Sequence, residues 1–343
     1  MPVKRILLIA AVIVLLAFAG LAGLAGTAWQ SLHAPLQIDA PTLRVVVEPG
    51  SSLARVAGRL SQAGVLSQPR FLTLYGRLTG TAKQIKVGEY DVARGTTPAE
   101  LIELLVAGDV VQYSFTIIEG WRYSEMLAAL REHEAIELTG FDPDSIMADL
   151  GKPDVHPEGQ FLPDTYHFPR GTRDVDVLER AHDALVAALD DAWSRRGSTV
   201  TLSSAYEALI LASIVEKETG LEHERQRIAG VFSRRLQNGM RLQADPTVIY
   251  GLGPDWDGDI RRADLRTDTP YNTYTRGGLP PTPIALAGRA SIDAAVDPLP
   301  DGSLYFVATG EPDRSHYFSA TLEEHNAAVQ RFLRRSREEA RDD

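Results

Sequence analysis

Residues 6–29 form an uncharged and mostly apolar run at the start of the chain, directly after Lys4 and Arg5. A helix of this length can cross a bilayer core of roughly 30 Å. Because flanking positive charges stay in the cytoplasm, we expect a cytoplasmic tip over residues 1–5, a transmembrane helix over 6–29 and an extracytoplasmic remainder. The chain is then a single-pass protein of the cytoplasmic (inner) membrane with its working part in the periplasm. A cleaved signal peptide is the alternative, since the small residues 22–28 offer a cleavage site.

The next apolar pattern predicts a small module over residues 42–109, joined to the helix by a polar, proline-containing linker over 30–41. "LRVVVEPG" is typical of a strand, and "SSLARVAGRLSQAG" of a helix with Ser51 or Ser52 as its N-cap. "SQPRFLTLYGRLTG" predicts a second helix and "KVGEYDV" a second strand. This βααβ order, with the phrase "VVVEPGSSLARVAGRL", resembles a LysM domain, which holds glycans containing N-acetylglucosamine. A packing module without sugar contacts is the alternative.

A larger domain is predicted over residues 110–335. A helix from Thr97 to Val106 ends at Gly108, and a new strand begins in "VVQYSFTIIEG", so we place a boundary near Asp109. Beyond it, helices and short strands mix without the regular alternation of a doubly wound sheet. The fold class is therefore α+β, with a charged tail over residues 336–343.

The charge and the composition exclude several classes of site. The net charge of -11 is spread along the chain and argues against a nucleic-acid partner, because phosphate binding needs clustered lysine and arginine. No cysteine is present, which removes disulfides, thiolate nucleophiles and cysteine-ligated zinc. His223 and Glu224 are not followed by the second histidine of a zinc-protease motif, and His316 and His325 lack close metal-ligand spacing. We expect no metal and no cofactor.

The segment "LILASIVEKETG" contains the strongest candidate for chemistry. On a helical wheel Glu218 falls on the side of the apolar stripe, whereas Glu216 and Lys217 point away from it. Burial and the negative end of the helix both raise a carboxyl pKa, so Glu218 could stay protonated near neutral pH and act as a general acid. We expect Gly220 to cap the helix. A carboxyl satisfied by an arginine or a backbone amide is the alternative.

Two turn-rich segments downstream suit a sugar cleft, because amides and hydroxyls bond sugar hydroxyls and tyrosine rings cover pyranose faces. They are "GMRLQADPTVIYGLG" and "RTDTPYNTYTRGGLPPTPIALAG". Each candidate in them could instead hold its loop in shape. The candidate substrate-binding residues are Gln243, Asp245, Thr247, Tyr271, Asn272 and Tyr274.

Four stretches are together similar to the endolytic murein transglycosylases of the MltG (YceG-like) family: "LASIVEKETG", "VFSRRLQNGMRLQADPTVIYG", "TPYNTYTRGGLPPTPIA" and "LYFVATG...HYFSATLEEHN". The resemblance covers essentially the whole chain, and the family's catalytic glutamate matches Glu218. "PEGQFLPDTYHFPRGT" also matches a family stretch, in which Glu158 and Tyr166 could border the cleft or belong to a packed loop.

The resemblance implies cleavage of the bond between N-acetylmuramic acid and N-acetylglucosamine within glycan strands, leaving a 1,6-anhydromuramic end. Glu218 would act first as the acid and then as the base. Peptidoglycan strands would be the substrate, and peptidoglycan synthases (penicillin-binding proteins) would be partners in terminating polymerisation. Two alternatives remain: a non-catalytic peptidoglycan-binding scaffold, or a hydrolase that uses Asp245 or Asp164 as a second carboxylate.

Overall fold

The computed structural model describes residues 2–342 and divides into two compact units. Unit 1 runs to Tyr113 and includes Phe168–Arg170, and unit 2 comprises Ser114–His167 together with the chain from Gly171. The division thus falls shortly after the predicted boundary at Asp109. Helices and short strands are mixed throughout, as expected for the α+β class.

Unit 1 contains four helices and two strands among the described residues. In chain order they are α1 (Pro2–His33), β1 (Thr42–Val47), α2 (Leu53–Gln62), α3 (Pro69–Leu78), β2 (Gly88–Ala93) and α4 (Pro98–Ala107).

The βααβ order predicted for this unit is present. β1 and β2 pair antiparallel, with Val45 opposite Tyr90. Ser52 caps α2 by accepting the Arg55 N–H at 3.3 Å, so local chemistry decides where this helix begins. The Tyr90 ring is fully buried in the unit's core, and its hydroxyl donates to the carbonyl of Lys86 at 2.7 Å. The resemblance to a LysM domain stays a prediction, since shared element order does not show sugar binding.

Helix α1 is long and apolar enough to cross a membrane over Leu7–His33, and an 18-residue window within it has a mean hydropathy of 2.8. The predicted linker over residues 30–41 needs correction. Its first residues continue α1, and Leu32, Leu36 and Ile38 are buried in the core of unit 1. The polar residues around these three apolar positions mask the signal, because their spacing follows neither a regular helix nor a strand.

Unit 2 is built mainly from helices. From Tyr113 onward the elements are β3 (Tyr113–Thr116), α5 (Tyr123–Arg131), β4 (Ile136–Glu137), α6 (Ile146–Asp149), β5 (Thr165–Phe168), β6 (Thr172–Arg173), α7 (Asp174–Ser194), α8 (Ala205–Glu218), α9 (Glu222–Gln237), α10 (Asp245–Leu252), α11 (Arg289–Val296), β7 (Tyr305–Ala308), β8 (His316–Ser319) and α12 (Leu322–Asp342).

Helix α8 lies at the centre of unit 2, where α7, α9, α10 and α11 pack against it. Every residue from 208 to 215 is buried, so this helix is enclosed on all sides and has no single apolar stripe. Ser204 caps its start by accepting the Glu207 N–H at 3.2 Å. Because α8 is buried and capped, it is a rigid support for the side chains of its last turn, residues 215–218.

The described strands of unit 2 form small pairs instead of one sheet. β3 pairs with β5, β4 lies parallel to β6, and β7 and β8 form an antiparallel hairpin with Ala308 opposite His316. α12 packs on this hairpin and continues to Asp342, so the predicted tail over 336–343 is helical as far as it is described.

Candidate active site

Glu218 is the last residue of α8, and its partly exposed side chain lines a cavity of about 670 Å³. Thr219 leaves the helix in an extended conformation. Gly220 does not adopt the left-handed conformation of a glycine cap, so that prediction is wrong. The other residues around the cavity are Glu216, Lys217, Thr219, Gly220, Leu221, Ala308, Gly310, Glu311, Asp313, Arg314 and His316.

The pKa of Glu218 is raised to about 8. Burial of the carboxyl is the largest cause, because enclosure disfavours its charged form. The negative charge of Asp245 raises the pKa further, and the Arg235 guanidinium opposes the shift. The raised pKa agrees with the prediction from the helical wheel. At pH 7 the carboxyl is mostly protonated, and a ligand in the cavity can reach it.

Glu216 departs from the expected contrast between the two carboxylates. Its side chain is only 5% exposed, although the wheel places it away from the apolar stripe. It accepts the Gly288 N–H at 3.0 Å and lies 3.7 Å from the Arg225 guanidinium. The wheel assumes one buried face, whereas the last turn of α8 is covered by α9 and by the start of α11. Glu216 is therefore a partnered structural carboxylate.

Glu119 completes this cluster beside the end of α8. It lies 3.9 Å from Arg225, and burial, together with the charge of Glu216, raises its pKa. Its carboxylate sits so close to Gly288 that a side-chain carbon there would come within 1.9 Å of Oε1. A larger residue at position 288 would therefore require the half-exposed Glu119 side chain to move.

Glu224 and His316 form an acid-imidazole pair, and His316 is on the wall of the Glu218 cavity. One Glu224 oxygen accepts the His316 backbone N–H at 2.9 Å, and the other contacts His316 Nδ1 at 2.7 Å. Thr219, next to Glu218 in sequence, also donates to Glu224 at 3.5 Å. The sequence suggests only a metal site for these two residues, because they lie 92 positions apart and no local pattern reveals the contact.

Asp245 and Tyr274 lie near Glu218, as two of the cleft predictions require. Asp245 is the exposed first residue of α10, and the Tyr274 hydroxyl donates to its Oδ1 at 2.5 Å. The charge of Glu218 contributes to the raised pKa of Tyr274, after burial and Asp245. Gln243 is exposed with a left-handed backbone (φ 52°), a strained conformation for a residue with a side chain.

The sequence predicts sugar contacts for Thr247 and Asn272, and in the structure both side chains bond to groups within the fold. Each is fully buried. The Thr247 hydroxyl donates to the Ala244 carbonyl at 2.7 Å. The Asn272 amide donates to the carbonyls of Asp264, Leu265 and Thr267, and its oxygen accepts the Tyr274 N–H at 2.8 Å. Both side chains fix the loops that carry Asp245 and Tyr274.

Tyr271 and Tyr166 use their hydroxyls within the fold. Tyr271 is paired with the Thr282 hydroxyl at 2.9 Å, and its ring meets that of Tyr250 edge-on. Tyr166 donates to the Leu162 carbonyl at 2.7 Å. Neither residue lines either of the two large cavities of unit 2. The loop-shaping alternative fits them better than substrate contact.

Glu158 borders a second cavity, of about 700 Å³. It is buried, accepts the Tyr123 N–H at 2.9 Å and the Tyr250 hydroxyl at 3.2 Å, and its burial raises its pKa to about 7. Trp256 and Arg122 are also on the wall. Lys217 lines both cavities and donates to the Gly120 carbonyl at 3.0 Å. The two openings thus lie on either side of one lysine.

Comparison with known proteins gives consistent results. The sequence pattern of the YceG-like family matches residues 45–331. The endolytic murein transglycosylase of Bacillus subtilis (strain 168) is 30% identical over an alignment of 328 residues, and the match covers 89% of this chain and 89% of the Bacillus protein. The protein of that name from Streptococcus pneumoniae (strain D39) is 25% identical, and the match covers 87% of this chain and 60% of the longer pneumococcal one.

A solved structure is also similar. The crystal structure of a YceG-like protein from Listeria monocytogenes matches with a TM-score of 0.52 and 28% sequence identity. The match covers 83% of this chain and 98% of the Listeria chain.

Proposed function

Because the chain belongs to the YceG-like family, we propose that it is an endolytic murein transglycosylase, a lyase that cleaves peptidoglycan strands. The names of the curated relatives support the reaction class. Glu218 carries the proposal on the structural side, because it joins a raised pKa to an accessible cavity at the end of a rigid helix. The target is the bond between N-acetylmuramic acid and N-acetylglucosamine.

The mechanism follows from the protonated state of Glu218. Its carboxyl protonates the glycosidic oxygen as the bond to the muramic anomeric carbon breaks. The muramic C6 hydroxyl, already tethered to the reacting sugar, attacks that carbon and closes a 1,6-anhydro ring. The Glu218 carboxylate then takes the hydroxyl proton and is restored. This cycle uses no water and no second catalytic carboxylate.

A hydrolase would need a second carboxylate to activate water, and the two candidates are Asp164 and Asp245. Asp164 is exposed, accepts the N–H of Thr165, and lines neither of the two large cavities. Asp245 is near enough to Glu218 for its charge to raise that pKa. Its bond with Tyr274 engages one of its oxygens, and transglycosylation gives it an electrostatic role.

Location and partners complete the proposal. We place α1 in the cytoplasmic membrane as an anchor, with the rest of unit 1 and unit 2 in the periplasm. An active site attached to that membrane meets newly made glycan first, so we place the enzyme beside peptidoglycan synthases, where it ends growing strands. The length and hydropathy of α1 support its role as the membrane anchor.

Mass spectrometry of the products tests the reaction. The full chain in detergent is incubated with uncrosslinked glycan strands, alongside Glu218→Gln, which keeps the shape of the side chain and cannot donate the same proton. We expect anhydro-ended fragments from the unchanged protein, and a rate at least about 100-fold lower for the variant. Reducing ends would show that water attacks. Binding without cleavage by either protein would favour the scaffold.

A further inference from the structure

His316 is held by Glu224 in a fixed orientation at the wall of the Glu218 cavity. Glu224 is 5% exposed and meets three donors: the His316 backbone N–H, the His316 ring and the Thr219 hydroxyl. A carboxylate offers only lone pairs, so His316 Nδ1 is the donor in this contact. In the neutral form of the imidazole that proton is the only N–H of the ring, and Nε2 is then a hydrogen-bond acceptor.

The Nε2 atom is available to a ligand. It has no hydrogen-bond partner within residues 2–342, and it is not among the buried polar atoms that lack one, unlike Nε2 of His182. The His316 side chain retains 13% of its exposure, and the residue lines the same cavity as Glu218. The ring also packs edge-on against Phe306 at 5.4 Å between centroids, which restricts its rotation.

We propose that His316 contacts the substrate, its Nε2 accepting a hydrogen bond from a sugar hydroxyl bound in the Glu218 cavity, with Glu224 as its positioning residue. This inference rests on the proposed function for the identity of the ligand, a glycan strand. The remaining cavity wall is dominated by charged side chains and backbone, and a lone-pair acceptor at a fixed place among them complements a donor such as a sugar hydroxyl and does not bind a carboxylate. An accepted hydrogen bond also orients that hydroxyl.

A structural role makes a different prediction. His316 belongs to β8 and Glu224 to α9, so their bond could serve only to fasten the hairpin to the helix. In that case the Nδ1 contact matters and Nε2 does not. Two substitutions separate these roles. His316→Asn places an amide where Nδ1 was and can keep the bond to Glu224, whereas His316→Gln reaches the position of Nε2 with an acceptor oxygen.

The test compares kcat/KM for uncrosslinked glycan strands between these two variants of the full chain in detergent. We expect His316→Asn to lose roughly 10–100-fold and His316→Gln to keep at least three times the activity of His316→Asn. Equal activities, or an Asn variant more active than the Gln variant, would overturn the proposal. His325→Gln serves as a matched control, since His325 stacks on Tyr305 and lines neither of the two large cavities.

A binding measurement makes the inference independent of catalysis. In the Glu218→Gln background, the Kd for the same strands should rise several-fold with His316→Asn and much less with His316→Gln. If the unchanged protein releases no anhydro ends while this order of affinities holds, the proposed reaction fails and the His316 contact stands. If anhydro ends form but the affinities do not differ, the contact fails alone.

A direct spectroscopic probe covers the case in which a His316 variant does not fold. Nitrogen-15 NMR of the labelled Glu218→Gln chain should show a shift of one imidazole Nε2 signal when strands are added. That signal is assigned to His316 by exclusion, from variants at the other histidines. An unchanged Nε2 signal at saturating glycan would overturn the contact.

Discussion

The protonation of Glu218 is set by its surroundings and not by its residue type. Burial contributes most, and the charge of Asp245 adds to it from the start of α10. The burial could be anticipated from the last turn of an apolar helix. The contribution of Asp245 could not, because Asp245 belongs to α10 and the whole of α9 lies between it and Glu218 in the chain. A sequence pattern therefore predicts the burial of a residue within one element better than it predicts the charges that other elements place near that residue.

The first prediction concerns the pH dependence of cleavage. A general acid must be protonated, so the rate should fall as the pH rises through about 8, the pKa of Glu218. Asp245→Asn removes the charge that helps to raise this pKa but keeps an acceptor for Tyr274. We therefore expect the alkaline limb of the kcat profile to move to lower pH in this variant.

The matched control is Asp190→Asn, which changes an exposed aspartate on α7. It should leave the alkaline limb where it is. An alkaline limb that stays at the same pH in both variants would show that Asp245 does not influence the acid.

The second prediction concerns stability. The pKa of Glu218 is higher in the folded chain than the ordinary value of 4.5, so the native state holds a proton that the unfolded state has lost between about pH 4.5 and 8. Its stabilising contribution is complete below pH 4.5 and is lost as the pH rises through 8. Glu218→Gln should thus gain stability relative to the unchanged protein by about 1 kcal/mol or more between pH 5 and pH 9.

Denaturant unfolding of unit 2 at both pH values measures this difference. Glu323→Gln, at an exposed position of α12, provides the comparison and should show no such trend. A difference between Glu218→Gln and the unchanged protein that is constant with pH would mean that Glu218 has an ordinary pKa.

At the scale of elements, the ends of helices are where local chemistry and long-range packing meet. The caps of α2 and α8 follow from Ser52 and Ser204, and such local contacts are readable from the sequence. The partners of Glu216 are not, because Arg225 belongs to α9 and Gly288 precedes α11. Polar residues in turns are ambiguous for the same reason. The amide of Asn272 is a group that can bond a sugar hydroxyl, but in the structure it is buried and bonds the backbone.

The third prediction tests the structural role of Asn272. Its fully buried side chain bonds three backbone carbonyls of the preceding loop and the N–H of Tyr274. Asn272→Ala should lower the free energy of unfolding by about 2–3 kcal/mol, because buried groups are left unpaired. Thermal unfolding measures the loss, and the exposed Asn326→Ala is the control. A stable variant with weaker glycan binding would restore the original sugar-contact hypothesis.

At the scale of the whole molecule, each unit has a hydrophobic core of its own. The core of unit 1 includes residues that precede the βααβ elements, and composition alone had assigned these to a linker. Leu32 shows why such segments are misread: it lies in the last turn of α1, where a local pattern counts it with the membrane span or with the linker. Helix α1 contacts α3 and α4, which come much later in the chain, and no local pattern reveals such contacts.

The fourth prediction follows from these contacts. A chain that begins at residue 40 lacks Leu32, Leu36 and Ile38, whereas one that begins at residue 30 keeps them. Since each buried leucine or isoleucine contributes about 1.5–3 kcal/mol, the shorter chain should lose several kcal/mol from unit 1. Hydrogen exchange at the amides of β1 and β2 should be correspondingly faster in it. Equal protection in the two chains would show that these residues do not stabilise the core.

The continuity of α1 with the core of unit 1 has a mechanical consequence. A flexible linker of about a dozen residues has an end-to-end distance of roughly 20 Å, so it would let the unit move by that much relative to the membrane. Here the helix runs without a break from Pro2 to His33, about 48 Å at 1.5 Å per residue, and Leu32 and Leu36 fasten its end. With α1 in the bilayer, the folded part of unit 1 is joined to the membrane by a stiff helix and not by a flexible linker. Its height above the lipid is then set by the geometry of one helix, and its motion is limited to tilting and spinning with that helix.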